Sequence, residues 1–187
     1  YQAAQEGFIQ PYADSPMDDE QVGEEVYISM INKAERYCWF MTPYLIITDE
    51  MTHALCLAAK RGVDVRIITP GMPDKKLIYS ITRSFYHGLV KNGVRIYEWT
   101  PGFCHAKMSV ADDCMATCGT INLDYRSLYH HFENGCFMAD SQTVLDIRDD
   151  LGATMNECRE VTEKYRTGRS AYLRLGQLFM RLFAGLL

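Results

Sequence analysis

The chain has no initiator methionine, no cleavable leader and no apolar run of the roughly 20 residues that a membrane-spanning helix needs. No span is expected within these 187 residues, and Tyr1 reads as the start of a fragment or excised domain. The seven cysteines are odd in number and lack CxxC spacing, which argues against a disulfide framework or a cysteine-held metal. Neighbours such as CWF, ALCLA and ATCG predict buried free thiols in a reducing compartment. Residues 1–30 hold seven acids and no Lys or Arg, whereas residues 159–187 hold six bases and two acids. Binding to nucleic acid rests on neutralising phosphates with Lys and Arg, so a net charge of -5 disfavours that partner. The basic tail still suits an anionic surface. There is no sequence repeat and no low-complexity linker.

What is present describes a folded domain, with 48% hydrophobic and 23% charged residues and enough length for a substantial core. Phe8 to Tyr12 reads as a short strand. Ser15 as N-cap, Pro16 at the first helical position and Asp18, Asp19 and Glu20 near the positive helix end predict a first helix to about Arg36. Tyr37 to Met41 is then a buried strand. A second helix starts at Thr48-Asp49 and stops at Gly62, and a third runs from about Asp74 to Lys91 and stops near Gly93. KRGVDV and KNGVRI repeat one order, helix then glycine then strand. Strands alternating with helices of this length predict an α/β fold, a mixed, mostly parallel sheet covered by helices on both faces. Residues 141–160 read as helix and Lys164 to Ser170 as a polar connection. The final stretch, residues 169–187, reads as an amphipathic helix after a domain of residues 1–168.

The most informative stretch is HAKMSVADDCMATCGTINLDYRSLYHHFE, from His105 to Glu133. If residues 105–111 are a strand, His105, Lys107 and Ser109 share one face and Ala106, Met108 and Val110 the other. Asp112-Asp113 can turn the chain, Met115 to Cys118 can return as a strand, and Phe132 to Ala139 can add another, extending the sheet with antiparallel members. An imidazole two residues from an ammonium suits nucleophilic or acid-base chemistry on an anionic group. Gly119 permits close approach of backbone to an anion, and Asn122 is placed to donate to the same oxygens.

The spacing HxKx4Dx6GTxN resembles the HKD signature of the phospholipase D superfamily. With TPYLI, RGVDVRIITPG, NGVRIYEW and FENG, the chain is similar over nearly its whole length to the bacterial cardiolipin synthase family within it. That resemblance implies a catalytic set of His105, Lys107, Asp112 and Glu133. His105 attacks phosphorus or protonates the leaving alcohol, Lys107 and Asn122 hold phosphate oxygens, and Glu133 holds the His ring by its other nitrogen. Asp112 supports the site's structure, Thr120 stands where the family has Ser or Thr, and Gly119 where the chain passes the phosphate. No metal or other cofactor is implied. The implied substrate is phosphatidylglycerol, an anionic phospholipid, at a membrane surface on the cytoplasmic face. The implied reaction joins two such lipids into cardiolipin and releases glycerol; with water as acceptor it is a hydrolysis.

Two departures stand against the pattern. The family's site uses two such motifs, yet His53, His87, His130 and His131 all lack a Lys two residues on. The second half-site is expected from a missing N-terminal half or from a second identical chain about a two-fold axis. Before Phe132 the family commonly has Asn where this chain has His131; His130 or His131 there either adjusts substrate fit or, the preferred reading, is an exposed strand residue.

Overall fold

At Gly62 and Gly93 the backbone takes φ of +97° and +104°, ending one helix and releasing the next strand each time. Only glycine enters that region without steric cost. The computed structural model describes residues 6–167. The elements in order are β1 (Phe8–Asp14), α1 (Val22–Lys33), β2 (Tyr37–Met41), β3 (Leu45–Ile46), α2 (Asp49–Lys60), β4 (Asp64–Pro70), α3 (Lys76–Lys91) and β5 (Arg95–Trp99). There follow β6 (Met108–Ala111), β7 (Met115–Gly119), β8 (Leu123–Asp124), α4 (Tyr125–Tyr129), β9 (Glu133–Ala139), α5 (Gln142–Glu157), β10 (Cys158–Glu160) and α6 (Thr162–Thr167).

Eight strands form one sheet in the order β1-β9-β7-β6-β2-β4-β5-β10. Helices α2 and α3 are the crossovers that make β2, β4 and β5 parallel. Every other pairing in that sheet is antiparallel. The mixed α/β fold is as the sequence predicts, with parallel pairing confined to those three strands. One face buries Phe40, Ile67 and Ile96 beneath α1, α2 and α3, and the other buries Ile68, Val110 and Met138 beneath Val144, Ile147 and Leu151 of α5. Burying both faces explains why β2 and β4 read as nearly continuous apolar runs.

Strand β6 pairs antiparallel with β2 on one side and with β7 on the other. The turn after it falls at Asp112 and Asp113, whose φ of 54° and 64° match the twist of a tight hairpin. The Asp112 carboxylate accepts from the backbone N–H of Glu35, Arg36 and Tyr37 at 2.6, 2.9 and 2.9 Å. It therefore ties the hairpin to the junction between α1 and β2. Asp113 bonds Arg36, Arg148 and the Tyr37 hydroxyl, which hold its carboxyl down at about 2.

Three expectations are corrected. Helix α1 begins at Val22, not Pro16, because Ser15 Oγ and Asp18 Oδ1 close local turns onto Met17 N and Glu20 N. The helix end is instead capped by Asp14, whose Oδ2 accepts from Gly23 N at 2.7 Å. Residues 158–160 are not helix but an edge strand on β5, where Arg159 reaches the fully buried Glu98 and Glu160 pairs with Arg95. Residues 162–167, expected in part as a connection, form α6, whose buried Tyr165 packs its ring on Tyr86. The predicted amphipathic helix of residues 169–187 lies outside the described residues.

Asp112→Ala is expected to cost about 2 kcal/mol, the usual scale for removing hydrogen bonds to a charged acceptor, read as a lower urea midpoint. Asp113 acts through pH. Its folded pKa lies below the ordinary 3.8, so its contribution is complete above about pH 4 and fades as pH falls toward 2. Asp113→Asn should lose less stability over that interval than the wild type does.

Candidate active site

Lys107 is a buried ammonium, 8% exposed, at the approach to β6. A charge out of water must be paired or hydrogen-bonded. Its Nζ donates to the His105 carbonyl at 2.7 Å and lies 3.0 and 3.3 Å from the two ring nitrogens of His105. Burial pulls the Lys107 pKa below the ordinary 10.5, while Glu133 and Asp124 pull it back up. The strand expected over 105–111 begins only at Met108, so His105 and Lys107 precede it in an extended loop. The expected alternation survives. Ala106, Met108 and Val110 pack toward α5, while Ser109 reaches Met30 of α1 on the opposite face.

The exposed His105 is flanked by the rings of Phe103 and Tyr44, with centroids 5.8 and 6.4 Å from its own. Neither residue was singled out from the sequence. Tyr44 arrives because β3 and β8 pair in parallel over two residues each, too short for any periodicity to show. His105, Lys107, Gly119, Thr120, Asn122 and Glu133 line one open cleft of about 490 Å³, and Cys118 joins them. Cys118, expected to be buried, is exposed at this rim. Asp112 stands outside the cleft, at the far end of β6.

Within the cleft the contacts differ from the expected ones. A Cβ on Gly119 would lie 2.4 Å from Asn134 O and 2.7 Å from Gly135 Cα. Gly119 thus admits the neighbouring strand β9. Thr120 Oγ1 donates to Glu133 Oε2 and accepts from Asn134 N at 3.0 Å. The other Glu133 oxygen lies 3.6 Å from Nδ1 of the exposed His131, and no hydrogen bond joins Glu133 to His105. Asn122 Nδ2 donates to Ser127 Oγ at 2.9 Å and to Asp124 Oδ2 at 3.3 Å, leaving Oδ1 buried without a partner. Burial raises the Asp124 pKa, and its Oδ1 accepts from Ser127 N at 2.8 Å. Asp124 and Ser127 thus hold Asn122, a role that spacing alone does not reveal. Chemically, the cleft offers an accessible imidazole, a fixed buried cation and a carboxylate beside a hydroxyl.

The family described as cardiolipin synthase, PLD-like domain, matches residues 27–155. An uncharacterised protein of Streptococcus mutans is 49% identical over 181 residues, and a cardiolipin synthase of Halalkalibacterium halodurans is 31% identical over 182. Each alignment covers 97% of this chain but 39% and 36% of the relative, so the chain spans somewhat over a third of the length of these curated relatives. Among solved structures, a phospholipase D family member, Nuc from Salmonella typhimurium, superposes with a TM-score of 0.70 at 17% identity, covering 83% of this chain and 98% of that one. A phosphatidylserine synthase of Haemophilus influenzae superposes with a TM-score of 0.69 at 15% identity, covering 95% of this chain and 45% of that one. At such identities the likeness is one of fold.

Gly119→Ala tests the packing of the cleft wall. Forcing a methyl against the backbone of β9 should cost about 1–3 kcal/mol, seen as a lower denaturant midpoint at unchanged m-value; full stability would remove the close-approach explanation.

Proposed function

This chain belongs to the cardiolipin synthase, phospholipase D-like domain family, and from that premise we propose that it supplies one half-site of a phosphatidyltransferase making cardiolipin. The observation that carries the reading is the meeting of His105 and the buried Lys107 at 3.0 Å in one cleft with Thr120, Asn122 and Glu133. In the first step an imidazole nitrogen attacks the phosphorus of one phosphatidylglycerol. A P–N bond forms, the P–O bond to glycerol breaks, and a second imidazole protonates the departing oxygen. In the second step the terminal hydroxyl of another phosphatidylglycerol gives its proton to that imidazole and attacks phosphorus, and the P–N bond breaks. Cardiolipin leaves and both imidazoles are restored.

Lys107 holds the non-bridging oxygens as charge develops, a task for a fixed cation that needs no reorganisation. Asn122 joins it once its amide turns from Ser127 and Asp124. Glu133 orients and stabilises the His105 ring once it exchanges Thr120 for the imidazole, following the logic of a catalytic triad. Asp112 acts at a distance by fixing the hairpin.

The second imidazole comes from an N-terminal half or from a second copy of this chain. Two facts support a partner: the chain holds one HxK pair, and its relatives are more than twice as long. Alone, the described half is a phospholipid-binding module. The reading places residues 1–168 as the catalytic unit and residues 169–187 as a contact with the cytoplasmic membrane surface. A hydrolase is the second reading, favoured by the exposure of His105, since water then reaches phosphorus.

Intact protein given labelled phosphatidylglycerol should form cardiolipin and glycerol in equal amounts; phosphatidic acid as sole product would establish the hydrolase instead. His105→Ala and Lys107→Ala should each lower kcat by about 10³-fold or more, and Glu133→Gln by about 10–100-fold. Near-normal turnover in either of the first two would sink the site. Truncation after Gly168 should reduce co-sedimentation with anionic liposomes, and unchanged binding would take the tail out of membrane contact.

A further inference from the structure

Nine arginines fall within the described residues, and eight bond carboxylates or backbone carbonyls. The side chain of Arg126, exposed on α4, makes no hydrogen bond and no ion pair among the described residues. It lines a recess with Lys75, another exposed cation without a side-chain partner. The recess adjoins the His105 cleft through Tyr44, which lines it and sets its ring edge against His105.

Asp124 also lines the recess, but among the described residues neither it nor Asp74 forms an ion pair with these cations. Asp124 bonds Ser127 N with one oxygen and Asn122 Nδ2 with the other. Asp74 accepts from the Tyr44 hydroxyl at 2.6 Å and from Lys75 N at 2.7 Å. Two like charges at one recess repel, and a bound anion removes that cost. A guanidinium presents a planar fork that matches phosphate oxygens, and an ammonium adds a point charge. Ile46 and Ile78 form the apolar side of the recess, and Leu77 beside it is 54% exposed. That mixture suits a phosphate carried on a lipid.

We infer that Lys75 and Arg126 form a second anion subsite, which takes the phosphodiester of the acceptor lipid while the donor's phosphorus sits at His105. The inference rests on the transferase reading above. With its phosphate held there, the acceptor brings its free hydroxyl toward the cleft past Tyr44. The subsite thus favours an anionic lipid over water or a neutral alcohol.

Two arms test this in the intact protein. In the first, wild type, Arg126→Gln and Lys75→Gln receive phosphatidylglycerol with ethanol present, and cardiolipin is measured against phosphatidylethanol. Both variants should lower that ratio about tenfold, because ethanol carries no phosphate, while Arg126→Lys should retain most of it and the remote Lys33→Gln should leave it unchanged. An unchanged ratio in Arg126→Gln and Lys75→Gln overturns the subsite. Wild type that yields no cardiolipin defeats the transferase reading, and the second arm then decides the subsite alone. There, glycerol 3-phosphate is titrated into protein carrying His105→Ala and Lys107→Ala, which strips the main cleft of both groups. Adding Arg126→Gln should weaken the remaining binding about tenfold, and an unaltered affinity overturns the subsite for free and lipid-borne phosphate alike.

Discussion

Three backbone N–H groups converge on the Asp112 carboxylate, and the rest of the domain follows from where that places β6. The strand pairs antiparallel with β7 and with β2, and through β2 it fastens the antiparallel half of the sheet to the parallel strands. A one-residue slip in its register would turn Ser109 toward α5 and Val110 toward α1, reversing both faces. Asp112 opposes that slip by bonding the chain just before β2. The opposite end of the same strand then delivers Lys107 and His105 to the sheet edge, at the carboxyl ends of the parallel strands. In an open α/β sheet, that is the edge where side chains can converge without disturbing the core.

The cleft reflects the same economy of space. Gly119 lets β7 and β9 approach closely, and that approach brings Thr120 against Glu133. Lys107 loses its water there and gains the His105 carbonyl and ring in return. Glu133 is engaged by Thr120, and Asn122 by Ser127 and Asp124. In the proposed reaction each exchanges a partner before it serves.

Much of the fold was legible where a local rule and the tertiary outcome agree. Gly62 and Gly93 stop α2 and α3 because no other residue takes their φ so cheaply, and Thr48 caps α2 by accepting from Met51 N. The rules misled where a distant group did the local job better. Ser15 looked like a cap, but β1 brings Asp14 to the helix end. Residues 158–160 looked helical until the edge of β5 and the buried Glu98 offered a strand its partners. β3 and β8 are two residues each and were invisible, yet they bring Tyr44 and Arg126 to the rim.

By itself the sequence determined the residue types and their parity: an imidazole two places from an ammonium, a turn at paired aspartates, and alternating apolar positions that bury one side of β6. These depend on bond geometry and on side chains alternating along an extended backbone, which act over a few residues. Only the tertiary structure decided what each polar group bonds. Glu133 bonds Thr120, 13 residues away along the chain, and not His105, because hydrogen bonds form between neighbours in space and the approach of β7 to β9 chose this one. The neutralisation of charge was decided in the same way, because a cation's partner is whichever carboxylate the fold brings near. That is why the side chain of Arg126, unexceptional in the sequence, is without a partner among the described residues.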